Sequence, residues 1–309
     1  MSFAVNSTTY NYQYRPLNHA TQQIRLVTLL RPLENDDAIR LDINVFEISE
    51  APPYTALSYV WGPPPSNHDI YIANGRLAIR ENLFKFLTEF GNCRDKAPSD
   101  QHLWIDQLCI DQSTTAERNH QVQMMSDIYS KANSVIAWLG EGSKKADASP
   151  SILAQRGCDM FENMYDAAGV WKHVGEPAAL AYVLHNEYFT RIWIVQEFIL
   201  ARQIRVLVKD IWLVDDTRGW ERRADTLDDY LRHSVSSSTF RLIGRSSFRR
   251  AGGFFKHLDI CVALDDYVTN DCADPRDRVY GLLGLSCFKA HLSRDGGTQE
   301  YTMRELFRY

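Results

Sequence analysis

Long hydrophobic runs are missing from this sequence, and no uninterrupted apolar stretch approaches the roughly 18 residues that a membrane-spanning helix needs. Positive charge is not in excess either. Against 34 Lys and Arg stand 39 Asp and Glu, a net charge of -5, which leaves no global electrostatic footprint for nucleic acid or an anionic membrane surface. The six cysteines (Cys93, Cys109, Cys158, Cys261, Cys272 and Cys287) show no C-x-x-C or C-x-x-H spacing. That argues against a structural zinc site and for reduced thiols in the cytoplasm. No G-x-S-x-G elbow is present, and Gly140-Glu141-Gly142-Ser143-Lys144 satisfies neither phosphate-loop pattern, so it is taken as a turn. The first residues lack an apolar or Arg-rich targeting segment, and residues 1–22 are expected to be a flexible arm.

What the 309 residues do contain is enough apolar material, 45% of the chain with 12% aromatic, for one large domain or two ordinary ones. Gln23–Leu30 and Ile39–Ile48 alternate partly and predict strands. Tyr54–Gly62, YTALSYVWG, predicts a further strand that must stop at Gly62 and the prolines Pro63, Pro64 and Pro65. In His68–Ile79 the pair Asn74-Gly75 lies between alternating runs and predicts a hairpin. Asn82–Phe90 carries a helical stripe closed by Gly91, and Thr114-x-x-Glu117 matches a capping box ahead of a second helix. Ser134–Leu139 and Ile204–Val208 are compact strand candidates. This order calls for an α/β fold with a parallel sheet.

Composition predicts helix across Ser151–Asn186, and Tyr188–Arg202 predicts a strong helix. From Trp212 onward no strand is evident and helices are expected, one of them opening at Asp274-Pro275. The chain stops within QEYTMRELFRY, expected to begin another amphipathic helix, as a fragment would.

Two places concentrate chemistry. Leu103–Gln112, LWIDQLCIDQ, looks like a buried strand with an acidic end, where α/β sheets hold ligands; Asp106, Cys109, Asp111 and Gln112 are its candidates. The bland alternatives are that Asp111 turns the chain and that Cys109 is a buried, inert thiol. Ser58, Tyr59 and Trp61 end another strand, and their rings could wall a pocket or fill the core. The second place is Glu197, a carboxylate in the most apolar predicted helix. It is either salt-bridged to Arg191, Arg202 or Arg205 or faces a site. Arg241, Arg245 and Arg249 fall four apart, a stripe that is either a solvated face or a contact for phosphate, an acidic partner or nucleic acid.

Together YTALSYVWG, LWIDQLCIDQ, ERNHQVQMMSDIYSKANSVIAWLG (Glu117–Gly140), YFTRIWIVQE (Tyr188–Glu197) and DPRDRVYGLLGL (Asp274–Leu285) resemble the fungal heterokaryon-incompatibility (HET) domain. The tight part of the match spans residues 54–202, within a domain taken as 23–210, followed by a mainly helical extension over 211–309. The resemblance implies a role in self/non-self recognition and programmed cell death. HET domains are in turn remotely similar to Toll-type (TIR) domains, which implies a flavodoxin-like core with the hairpin added. Trp193-x-x-x-Glu197 has the form of the TIR W-x-x-x-E. Some TIR domains cleave nicotinamide from NAD with this glutamate, which implies Glu197 as catalytic residue and NAD as a substrate rather than a cofactor. Asp106, Gln112, Tyr59, Trp61 and Trp193 would then be wall residues. Other TIR domains work by self-association or partner binding without catalysis, the alternative reading for this chain.

Overall fold

The computed structural model describes residues 10–31, 38–73, 75–93, 96–140, 186–208, 211–214, 238–239, 241–242, 245–246, 259–285, 287–290 and 299–302. The helix expected over 151–185, Arg249 and residue 74 of the expected hairpin lie outside them. Two compact units emerge. The first comprises residues 1–55 and 61–120; the second comprises 56–60 and 121–309.

In the first unit the strands lie in the order β1-β6-β5-β3-β2-β7. β2 (Gln23–Leu29) and β3 (Arg40–Glu47) form a long antiparallel pair, and β5 (His68–Ile72) and β6 (Gly75–Ile79) form the hairpin that the sequence signals. The segment expected to be a loose arm contributes β1 (Tyr10–Asn11), parallel to β6. Its close approach depends on glycine, since a Cβ on Gly75 would lie 2.8 Å from the Tyr12 Cα. Helix α1 (Glu81–Asn92) buries Leu83, Phe86, Leu87 and Phe90, the stripe spaced for one face.

The expected strand at Leu103–Gln112 is cut short. Only Leu103–Trp104 is β7, and Asp106–Cys109 is a one-turn helix, α2. The Asp106 carboxylate accepts from the Gln107 amide at 2.7 Å, offering the backbone a local partner in place of a ladder. Helix α3 (Thr115–Lys131) follows. Its Glu117 does not complete a capping box with Thr114: it accepts from the Asp111 amide at 2.7 Å and from both terminal nitrogens of Arg25, at 2.5 and 3.0 Å. Arg25, which is buried in β2, also donates to the carbonyls of Cys109 and Arg15. One guanidinium therefore ties a strand, the α2 turn and the start of α3.

In the second unit the order is β4-β8-β9-β10. β4 (Thr55–Tyr59), β8 (Ser134–Trp138) and β9 (Ile204–Val208) are buried at every position, which explains why they appear in the sequence as unbroken apolar runs rather than alternating ones. β8 and β9 are parallel, while β10 (Ile211–Val214) folds back antiparallel on β9. The α/β class holds, with a mixed rather than uniformly parallel sheet. Links as short as that between β5 and β6 can only return antiparallel, whereas β1–β6, β3–β5 and β8–β9 are parallel.

Toward the carboxyl end α4 (Ile194–Leu200), α5 (Ile260–Asp266) and α6 (Asp277–Leu283) are helical, as expected of this region. Two expectations fail there: that no strand follows Trp212, and that a helix begins at Gln299. β10 and the pair β11 (Cys287–Ala290) and β12 (Gln299–Thr302) are strands, because pairing with a distant or neighbouring segment overrides local preference. Among the described residues, no helix is long and apolar enough to cross a membrane.

Truncating Arg25 to Met leaves the Glu117 carboxylate buried without its cation, and a loss of about 3–5 kcal/mol in urea unfolding is expected. Burial works against ionisation of Glu117, yet the hydrogen bonds from Arg25 and the Asp111 amide hold its carboxyl below the ordinary 4.5. A group whose pKa is depressed on folding stabilises above its unfolded value. Wild-type stability should therefore decline as pH falls below about 4.5, and Arg25→Met should flatten that part of the profile.

Candidate functional site

Glu197 lies in the first turn of α4 and is 3% exposed. A carboxylate at that depth must be hydrogen-bonded or neutralised. Ser58, from the buried middle of β4, donates its hydroxyl to Glu197 Oε2, and the Tyr188 phenol lies 2.7 Å from the same Ser58 Oγ. Ser58 and Tyr188 are 1% and 0% exposed. Of the arginines expected as salt-bridge partners, Arg191 directs Nη1 to the Tyr59 carbonyl and Arg202 directs Nε to the Ser130 carbonyl. The Ser58 hydroxyl is one anchor of the carboxylate.

The backbone around this cluster is held from several sides. Tyr129 donates its hydroxyl to the Leu57 carbonyl at 3.0 Å, and Arg191 takes the Tyr59 carbonyl, so both neighbours of Ser58 are fixed. Tyr188 sits in a short 3-10 turn, Glu187–Thr190, whose cap Asn186 accepts from the Tyr188 amide and donates to the Leu139 carbonyl at the end of β8. Burial, and then the charge of Glu197, push the Tyr188 phenol far above its ordinary range, so it remains a donor at every working pH.

The predicted helix Tyr188–Arg202 is therefore a 3-10 turn followed by a shorter α4, and the reason lies further along the chain. Asp271 bridges to Arg191, its carbonyl accepting from the Ile192 amide at 3.0 Å, while Asn270 Nδ2 donates to the carbonyls of Phe189 and Arg191. These bonds take up groups that a continuous helix would have used internally. Helix α6 then packs on α4. The Trp193 indole donates to the Asp277 carboxylate, and Gln196 Nε2 donates to the Tyr280 carbonyl at 2.8 Å. Gly284 leaves no room for more: a Cβ there would lie 2.2 Å from Gln196 Oε1 and 2.5 Å from the Ser126 Cβ. Burial raises the Asp277 carboxyl above its ordinary value against the opposing indole bond.

Of the predicted residues, Ser58, Tyr59, Trp193 and Glu197 thus belong to the second unit, where Ser58 and Glu197 touch. Tyr59 is buried, and Trp193 is half-buried against Asp277. Trp61, Asp106, Cys109, Asp111 and Gln112 belong to the first unit. There the Trp61 indole donates to Asp106 Oδ2 at 2.5 Å, Arg80 lies over the Trp61 ring at 5.1 Å, and Gln112 Nε2 donates to the Asp106 carbonyl. Asp111 accepts from Ser113 and from the Thr114 hydroxyl, the chain-turning role. Cys109 is fully buried, with its sulfur against the Ile105 amide and its thiol pushed up by burial to about 12. This is the inert alternative; a nucleophile would need a far lower value. Arg241 and Arg245 of the arginine stripe both pair with the buried Asp266. Among the described residues, no group of three or more His, Cys, Asp or Glu could hold a metal ion.

Sequence reasoning assigned no role to Tyr188, Asn186, Asn270, Gln196 or Asp277. Tyr188 and Ser58 are separated by 130 positions, and no spacing rule reaches that far. Tyr188, Gln196 and Asp277 at least stand inside the motifs that carry the family resemblance.

Residues 54–197 match the family model described as Heterokaryon incompatibility protein (HET). The match begins beside β4 and ends on Glu197, so the Ser58–Glu197 contact joins its first and last elements. Heterokaryon incompatibility protein 6, OR allele, of Neurospora crassa is 27% identical across 96% of this chain and 52% of its own length. Vegetative incompatibility protein HET-E-1 of Podospora anserina is 25% identical across 62% of this chain and 12% of its own length. The chain thus spans about half of the first relative and a small part of the second. No solved structure matches it significantly.

The thiol assignment gives a direct expectation. Iodoacetamide at pH 8 should modify exposed Cys261 in the folded protein and leave Cys109 unlabelled by peptide mass mapping until denaturant is added.

Proposed function

We propose that the chain acts in fungal heterokaryon incompatibility, as an effector of self/non-self recognition and programmed cell death, and that it cleaves the N-glycosidic bond of NAD through Glu197. The names of its relatives support the biological role. The observation that carries the chemistry is a buried carboxylate anchored by a hydroxyl, at the last position of a Trp193-x-x-x-Glu197 motif that resembles the TIR form. Cleavage of the bond to nicotinamide develops positive oxocarbenium character on the ribose, and a carboxylate held in place stabilises that charge. Nicotinamide leaves readily, so no strong general acid is required. A ribose hydroxyl would hydrogen-bond the carboxylate while Ser58 holds it in place. Turnover then requires a form in which NAD reaches Glu197, and we assign that opening to assembly of several copies.

The depth of Glu197 also favours a second reading, in which the W-x-x-x-E packs and the chain signals by self-association or partner binding. Val262, Val268, Val279 and Tyr280, exposed on and beside α5 and α6, offer apolar surface for that.

Nicotinamide release from NAD by the purified protein, followed as monomer and as enforced oligomer, tests the first reading. Glu197→Gln should lower the rate by at least about a hundredfold, the scale of removing one charge-stabilising group. Silence of the wild type in every assembly state would sink the enzymatic reading. Equal rates for the two proteins would sink the residue assignment.

A further inference from the structure

We infer that Tyr188 is a positioning residue for Glu197, acting through the hydroxyl of Ser58. The inference deepens the reading of Glu197 as the catalytic carboxylate and rests on it for its functional part. Its structural part stands on proton inventory. Ser58 has one hydroxyl proton, and that proton is directed at Glu197 Oε2. At the 2.7 Å contact between Ser58 Oγ and the Tyr188 oxygen, Ser58 can therefore only accept, so the phenol donates. The result is a chain of fixed polarity, from Tyr188 to Ser58 to Glu197.

Each link sits on a rigid support. The Ser58 backbone is flanked by the two occupied carbonyls of Leu57 and Tyr59. The Tyr188 amide is capped by Asn186, and its ring stands edge-on to Phe189 at 5.0 Å. Without the phenol, a Ser58 lone pair would be left without that donor, and the hydroxyl's bond to the carboxylate would lose its polarisation. With it, one Ser58 rotamer is favoured, and the carboxylate orientation follows. In a buried site such hydrogen bonds polarise one another, so the outer member strengthens the inner one. Tyr188 need not touch substrate to matter. It would set where the Glu197 charge points when the ribose becomes cationic, which is a transition-state effect and not a binding one.

Tyr188→Phe keeps the ring that fills the core and removes only the donor, so folding should survive the test. The first readout needs no activity: the protein is labelled with 13Cζ-tyrosine and the Tyr188 signal is assigned by its loss in Tyr188→Phe. Both Ser58→Ala and Glu197→Gln should shift that signal, the second without touching either atom of the Tyr188–Ser58 contact. A Tyr188 signal indifferent to Glu197→Gln would overturn the relay, whatever the enzyme does. The second readout is nicotinamide release, where Tyr188→Phe should lower kcat about tenfold, the scale of one lost hydrogen bond, with KM for NAD little changed. Unchanged kcat would overturn the positioning role. A shifted signal in a wild-type protein that never releases nicotinamide would support the relay and overturn the glycohydrolase reading.

Discussion

A carboxylate taken out of water is the constraint that the second unit is arranged around. Moving an ionised glutamate to the depth of Glu197 costs several kcal/mol unless its oxygens find donors. One such donor is the Ser58 hydroxyl, backed by Tyr188. Much of the neighbouring geometry follows from keeping those two side chains still. β4 is buried from end to end, with its carbonyls at Leu57 and Tyr59 tied to side chains. The chain before α4 is held as a 3-10 turn and not allowed to wind into a longer helix. Wide burial, short helix and broken regularity are three expressions of one requirement.

The first unit solves a similar problem differently. Arg25 and Glu117 meet as an ion pair with side chains 1% and 4% exposed, so each charge answers the other and neither is left for chemistry. Glu197 accepts from a neutral hydroxyl, that of Ser58, which orients the carboxylate. The same reasoning places Cys109 and the paired arginines, Arg241 and Arg245, on the structural side.

Most of the architecture was legible because it is written in local pattern. The apolar runs of β4, β8 and β9, the hairpin at β5 and β6 and the stripe of α1 all lie where spacing puts them. What could not be read depends on distant partners. LWIDQLCIDQ looks like a strand because its side chains are apolar, yet the Asp106 carboxylate competes for the backbone and Arg25, 84 positions before Cys109, fixes the turn. Glu117 sits at capping-box spacing but is claimed by the same arginine. At the site, Glu197 was reachable through its apolar surroundings and the tryptophan four residues earlier. Tyr188 was not, because a phenol on a buried turn looks like any core aromatic until its oxygen is placed.

The packing of α6 on α4 bears on where this domain ends. The family match closes at Glu197, and a piece of chain cut there would retain both Ser58 and the carboxylate. It would lack the Asp277 carboxylate for the Trp193 indole, the Tyr280 carbonyl for Gln196 and the Asn270 amide under the 3-10 turn. Similarity along the chain and mechanical completeness thus draw two different boundaries, and the smallest piece able to hold its own site in shape runs past residue 284.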